Sequence, residues 1–103
     1  FLHFQEKAKA YAEKVQGATP SDRAKSLARL RDREGHMADF ELQPAPRIIE
    51  RHHPMQALFA VFPEAAAMER ELFQRLLGFP IRREQRQAGG TYEYVFSLVA
   101  PGA

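Results

Sequence analysis

Residues 81–98 read IRREQRQAGGTYEYVFSL. In the second half Tyr92, Tyr94, Phe96 and Leu98 recur at every second position, which places them on one side of an extended chain. Just before them stand Gly89 and Gly90, a pair that readily takes the positive φ angles of a two-residue hairpin turn. Ile81 to Gln87, bounded by Pro80 and the glycines, then reads as a polar partner strand. The stretch predicts an antiparallel hairpin with one apolar face, and that face needs a layer of helices to cover it.

The preceding sequence supplies such helices. Pro63-Glu64 opens one, since proline is tolerated in a first turn, and Ala65, Met68, Leu72, Leu76 and Leu77 line its buried side until Gly78 stops it. Glu64, Glu69 and Glu71 read as complements to the positive end of that helix. Pro54 opens a shorter helix with Met55, Leu58, Phe59 and Phe62 on one face. Two further strands precede it. Ala38, Phe40 and Leu42 alternate with Asp39 and Glu41, and Arg47 to Arg51 contains Ile48 and Ile49; Pro44 and Pro46 form a stiff connection between them.

Thr19-Pro20-Ser21-Asp22 starts another helix with an N-cap, a proline at the first helical position and an early acid. Ala24, Leu27, Ala28 and Leu30 give its apolar face, and Arg23, Lys25, Arg29 and Arg33 a basic one that is either solvated or touches DNA or an acidic partner. At the start of the chain Phe1, Phe4, Ala8, Tyr11 and Val15 follow a 3,4,3,4 spacing. That stripe suits either a dimerisation seam or packing onto its own domain, and Gly17 is expected to cap the helix that carries it. The expected fold is therefore α+β: a mainly antiparallel four-stranded sheet packed with helices, preceded by an N-terminal amphipathic helix. Residues 1–18 read as a linker or dimerisation helix and residues 19–103 as a single α+β domain.

Composition narrows the chemistry. With 45% hydrophobic and 27% charged residues the chain has the makeup of a folded domain. It has no cysteine, which excludes disulfides, thiolate catalysis and all-cysteine metal sites. No apolar run reaches membrane-spanning length and no export signal is visible, so the cytoplasm is expected and a membrane partner is not. The formal net charge is +2, with acids interspersed among the bases, which argues against direct nucleic-acid binding by this segment.

His52-His53 is the most conspicuous polar pair, yet neighbours on a strand point to opposite faces and do not readily chelate one ion. His36, Glu64 and Glu69 would join them only if the fold brought them together, and no His-x-x-x-His helix pair is present. A pH-sensing role and a plain structural role are the other readings of these histidines. There is no nucleophile elbow and no phosphate-binding glycine loop, so an enzyme is not expected. Phe40, Phe59, Phe62, Phe73, Phe79, Tyr92, Tyr94 and Phe96 form either an aromatic core or the wall of an apolar pocket.

One set of motifs goes further. His52-His53-Pro54 is followed by Phe62-Pro63-Glu64-Ala65-Ala66, Met68-Glu69-Arg70-Glu71-Leu72, Leu76-Leu77-Gly78, the glycine turn and Tyr94-Val95-Phe96. This order resembles the C-terminal region of bacterial winged helix-turn-helix regulators of the Suf-operon repressor type, which respond to iron–sulfur clusters. Those proteins carry Asn-Cys-Pro, His-Pro-Glu-Leu-Cys, a Glu-Arg helix, Leu-Leu-Gly and a cysteine-bearing strand in the same order. Thr19 to Leu42 is similar to the family's upstream helix and first strand. The resemblance implies a C-terminal effector-sensing and dimerisation domain that forms a homodimer and reaches DNA only through an upstream domain. His53, Ala66 and Tyr94 fall where relatives hold cluster-ligating cysteines, so the iron–sulfur cofactor is not carried over, and no other metal or cofactor is expected. By the same resemblance, His53, Met55, Phe59, Phe62, Ala66 and Tyr94 are the candidate site for a small-molecule effector. The alternative readings are a stand-alone small-molecule-binding dimeric module and a small enzyme with His52 or His53 as general base.

Overall fold

The computed structural model describes residues 2–52 and 62–99. Its helices are α1 (Leu2–Lys14), α2 (Pro20–Arg33) and α3 (Glu64–Leu77). Its strands are β1 (Ala38–Glu41), β2 (Arg47–Glu50), β3 (Ile81–Ala88) and β4 (Thr91–Leu98). The short helix read from Pro54 falls outside the described residues, apart from Phe62.

All pairings in the sheet are antiparallel, and the strand order is β1-β2-β4-β3. The expected α+β fold with a four-stranded antiparallel sheet is therefore present. The β3–β4 hairpin turns at Gly89 and Gly90, with φ of +57° and +84°, and closes on Ala88 opposite Thr91. Both glycines sit where a side chain would strain the backbone, as a two-residue turn requires.

Register decides which side chains meet the helices. Ile48 lies opposite Phe96 and Glu50 opposite Tyr94. Leu98 lies opposite Ile81, and Ala38 opposite Glu50. These residues share one face, and their apolar members pack with Tyr11, Leu27, Leu72, Phe73 and Leu77 from the helices. Phe73 and Phe96 stack as a tilted pair with ring centroids 4.4 Å apart. They lie at the centre of the core, while Phe40 and Phe79 pack partly buried against it. Tyr92 lies at the far end of the β4 row and is exposed.

The opposite face holds buried Ile49 and Val95 among ion-paired side chains. Arg47 binds Glu41 at 2.6 Å, Arg51 binds Asp39 at 2.6 Å and Arg86 binds Glu93 at 3.1 Å. Exposed pairs of this kind contribute little individually, but their aliphatic stems shelter apolar surface.

α2 starts as its sequence dictates: Thr19 Oγ1 accepts the Asp22 N–H at 3.1 Å, and Pro20 follows the cap. Gly17 is not the cap of α1, which ends at Lys14. It has φ +150° in the turn to α2, and a Cβ there would lie 2.6 Å from Asp22 Cβ and 2.7 Å from Arg23 N. Its role is close approach of two backbones. Gly17→Ala is accordingly expected to destabilise the domain by about 1–3 kcal/mol, measurable as a lower urea midpoint with an unchanged slope. Arg23 fixes the same turn from the side, donating to Gly17 O and to Leu77 O at 3.1 Å each.

Candidate functional site

Three charged residues occupy positions that the apolar pattern reserves for the core. On α2, Arg31 follows Ala24, Leu27 and Ala28 at helical spacing; on α3, Glu69 falls between Ala65 and Leu72; on β2, Glu50 continues the inward row of Ile48. In the fold all three are buried, at 2%, 2% and 0% exposure. Isolated, each would carry a severe desolvation cost, so their meeting is a requirement of the fold.

Arg31 binds Glu50 with both ends of its fork, Nε to Oε2 at 2.6 Å and Nη2 to Oε1 at 2.8 Å. The same Nη2 donates to Glu69 Oε2 at 3.0 Å. Its guanidinium also lies 5.1 Å from the Phe73 ring centroid, where a cation gains from the aromatic face. The set extends in three directions. His36 Nδ1 lies 3.2 Å from Glu50 Oε1, and Arg83 Nε lies 3.5 Å from Glu69 Oε1. Toward α1, Arg31 Nη1 donates to the Tyr11 hydroxyl at 3.4 Å, and that hydroxyl donates a short bond to Glu34. Lys7 Nζ completes this end, 3.1 Å from Glu34. Five elements, α1, α2, β2, α3 and β3, thus converge on one network.

Three members of the network, Glu50, Arg31 and Tyr11, are displaced from their ordinary titration. Burial alone would push the Glu50 carboxyl up, but the hydrogen bonds and charge of Arg31, then of His36, hold it at about 2. Burial would likewise lower Arg31, yet Glu50 and Glu69 raise it above its ordinary value. Burial pushes the Tyr11 phenol up, against the opposing charge of Arg31. An acid–base catalyst needs a group poised near the working pH; Glu50, Arg31 and Tyr11 are all held away from it.

The residues singled out from the sequence are distributed differently. His53, Met55 and Phe59 lie outside the described residues. Phe62 is half-buried just before α3, and its carbonyl accepts the Ala65 N–H at 3.0 Å. Ala66 is half-buried in the first turn of α3, three residues before Glu69. Tyr94 is buried on β4, with the Arg83 guanidinium 5.0 Å from its ring centroid. Burial raises its phenol, against the charge of Arg83. Tyr94 thus belongs to the Arg83–Glu69 end of the network. Of the N-terminal stripe, Phe1 and the side chain of Phe4 lie outside the described residues, while Ala8, Tyr11 and Val15 pack on the core of their own chain.

The donor set does not suit an iron–sulfur cluster. Ala66 has no donor atom, and Tyr94 is a buried neutral phenol, whereas such clusters call for thiolate. Glu64 and Glu69 do not gather with His36 or His52 into a metal site, and among the described residues no group of three or more His, Asp or Glu side chains is arranged to hold an ion. Nor is any helix there long and apolar enough to cross a membrane.

Sequence reasoning overlooked Arg31, His36 as a partner of Glu50, and Glu50 itself, and assigned Glu69 to a helix dipole. The available signal was positional: lone charges of opposite sign on otherwise apolar stripes. No family model, curated protein or solved structure matches the chain.

Proposed function

We propose that this chain is the C-terminal effector-sensing and dimerisation domain of a cytoplasmic bacterial transcriptional regulator whose DNA-binding domain lies upstream. The observation that carries the reading is the Arg31 network. Glu50 ends β2 and Glu69 lies in α3, so the two carboxylates flank the 51–63 segment, which includes several of the resemblance-derived effector positions. Arg31 grips both carboxylates and also bonds Tyr11 on α1, the helix that would lead to the DNA-binding domain. An effector that favours one spacing of β2 and α3 would therefore bias the setting of α1. Such coupling needs different effector affinities in the two arrangements, and a bidentate ion pair is sensitive to small displacements because its geometry is directional.

The reading is tested on the protein as its source cell makes it. An intact mass exceeding this chain by a block of roughly 70–100 residues before Phe1 is expected, together with retention on DNA from its own promoter. A mass equal to that of the 103 residues, or a longer protein that ignores DNA, overturns it.

A further inference from the structure

The formal charge of the chain is nearly balanced, at +2, but the fold neutralises its cations unevenly. The sheet arginines Arg47, Arg82, Arg83 and Arg86 each stand in an ion pair, and so does Arg31. On α2 the pattern is reversed. Lys25, Arg29 and Arg33 are exposed and make no ion pair among the described residues. The stretches outside the described residues contain no Asp or Glu, so no carboxylate side chain there neutralises them.

The three cations recur at every fourth position, about 6 Å apart along one side of the helix. Like charges at that spacing weaken a helix, so the row is a cost to the isolated domain. Lys25 and Arg29 stand between two open depressions. One is bounded by Gly17 and Ser26 at the α1–α2 turn, the other by Ala38 and Phe40 of β1, so both cations are approachable from either flank. The acids bordering these depressions are already engaged. Asp32 accepts the Ala38 N–H at 3.1 Å, Asp39 is paired with Arg51, and Asp22 complements the positive end of α2 from its first turn. A fourth exposed cation, Lys14, ends α1 beside the row, where its carbonyl accepts the Ser26 hydroxyl at 3.4 Å. Arg23 does not belong to the row, since it is bound to Gly17 O and Leu77 O.

We propose that the Lys25–Arg29–Arg33 face of α2 docks on the phosphate backbone of duplex DNA without reading its sequence. The partner follows from what the face has and lacks. Protein interfaces centre on apolar and aromatic anchors and are poor in lysine, whereas the exposed stripe of Asp22, Lys25, Ser26, Arg29 and Arg33 offers no apolar residue. Single-stranded nucleic acid is held by stacking on aromatic rings, and none stands on this stripe. A duplex supplies a regular, stiff array of negative charge that cations alone can bind. The inference goes beyond the proposed function, in which DNA is reached through an upstream domain, and does not rest on it. It concerns this chain alone, so the mass measurement above and the experiment below fail independently.

Fluorescence anisotropy of a labelled DNA duplex of arbitrary sequence, titrated with the 103-residue chain at low salt, is expected to show saturable binding. The logarithm of the association constant should fall linearly with that of the salt concentration, with a slope of about −3 for the cations of the row. Lys25→Gln and Arg29→Gln should each weaken binding several-fold on any sequence and make the slope shallower by about 1. Arg75→Gln, at an exposed arginine of α3 that also makes no ion pair among the described residues, should change neither. All of these positions are exposed, and the variants are expected to keep the wild-type circular dichroism spectrum. Should one α2 variant fail to fold, the other decides the matter. Absence of binding at low salt overturns the proposal. So does a salt slope that the α2 variants leave intact, or an equal loss from Arg75→Gln, which would make the attraction a property of overall charge. Tighter binding to poly-glutamate than to the duplex would assign the face to an acidic protein and overturn it as well.

Discussion

Arg31→Met is expected to destabilise the domain by about 3–5 kcal/mol, because it removes the cation that bridges two buried carboxylates. Glu50 is fully buried and Glu69 nearly so, and Arg31 donates to both, at 2.6 and 3.0 Å. A domain of this size typically has about 5–15 kcal/mol in total, so the variant should stand at the edge of unfolding. The loss is specific to the stranded charges. Replacing Glu50 by Leu and Glu69 by Met together with Arg31→Met removes the network as a whole and is expected to recover most of the stability, since an apolar replacement of a buried ion set is often neutral or better. Urea denaturation followed by circular dichroism measures both. A loss below about 1 kcal/mol for the single variant would mean that the carboxylates behave as solvated groups and that the network contributes no more than an exposed ion pair.

Acid should unfold the protein through Glu50. Its carboxyl is held at about 2 in the folded chain, against an ordinary 4.5. The folded-state value is the lower of the two, so the stabilisation is complete above the unfolded value and is lost as pH falls through that interval. Arg31 is the partner responsible, and it stays charged throughout. The gap corresponds to about 3 kcal/mol for a side chain with no solvent exposure. Urea midpoints measured between about pH 5 and about pH 2 should therefore fall steeply in the wild type. Glu50→Gln should begin less stable and fall less over the same range. Parallel slopes for the two proteins would assign the acid sensitivity to other carboxylates.

Much of this architecture is legible in the sequence because its determinants are local. The Thr19-Pro20 cap, the Gly89-Gly90 turn and the alternation of Tyr94, Phe96 and Leu98 each act within a few residues. Strand order is different. Nothing local to β4 says that it lies between β2 and β3; the burial of Val95 on its second face is the only trace, and one valine is weak evidence. The site was hidden for a related reason. Sorting α2 by residue type puts Arg31 with the solvated arginines Arg29 and Arg33, whereas sorting it by position puts it on the Ala24–Leu27–Ala28 stripe. The partner charges lie 19 and 38 residues further along the chain, so no short window contains the pair. Tyr11 shows the same limit: its spacing fits a seam between chains equally well, and only the placement of Arg31 and Glu34 fixes it inside.

The place of β4 in the sheet also bears on how the protein is made. A chain synthesised from its N-terminus can form the β1–β2 hairpin and α2 early, since those contacts are close in sequence. The free side of β2, with Ile48 and Ile49 on its two faces, finds its proper neighbour only when residues 94–97 have left the ribosome. Glu50 reaches the same point with Arg31 already available but Glu69 and Tyr94 still to come. The nascent domain therefore carries an open, isoleucine-bearing strand edge until residues 94–97 emerge, and that interval is when it is most in need of a chaperone.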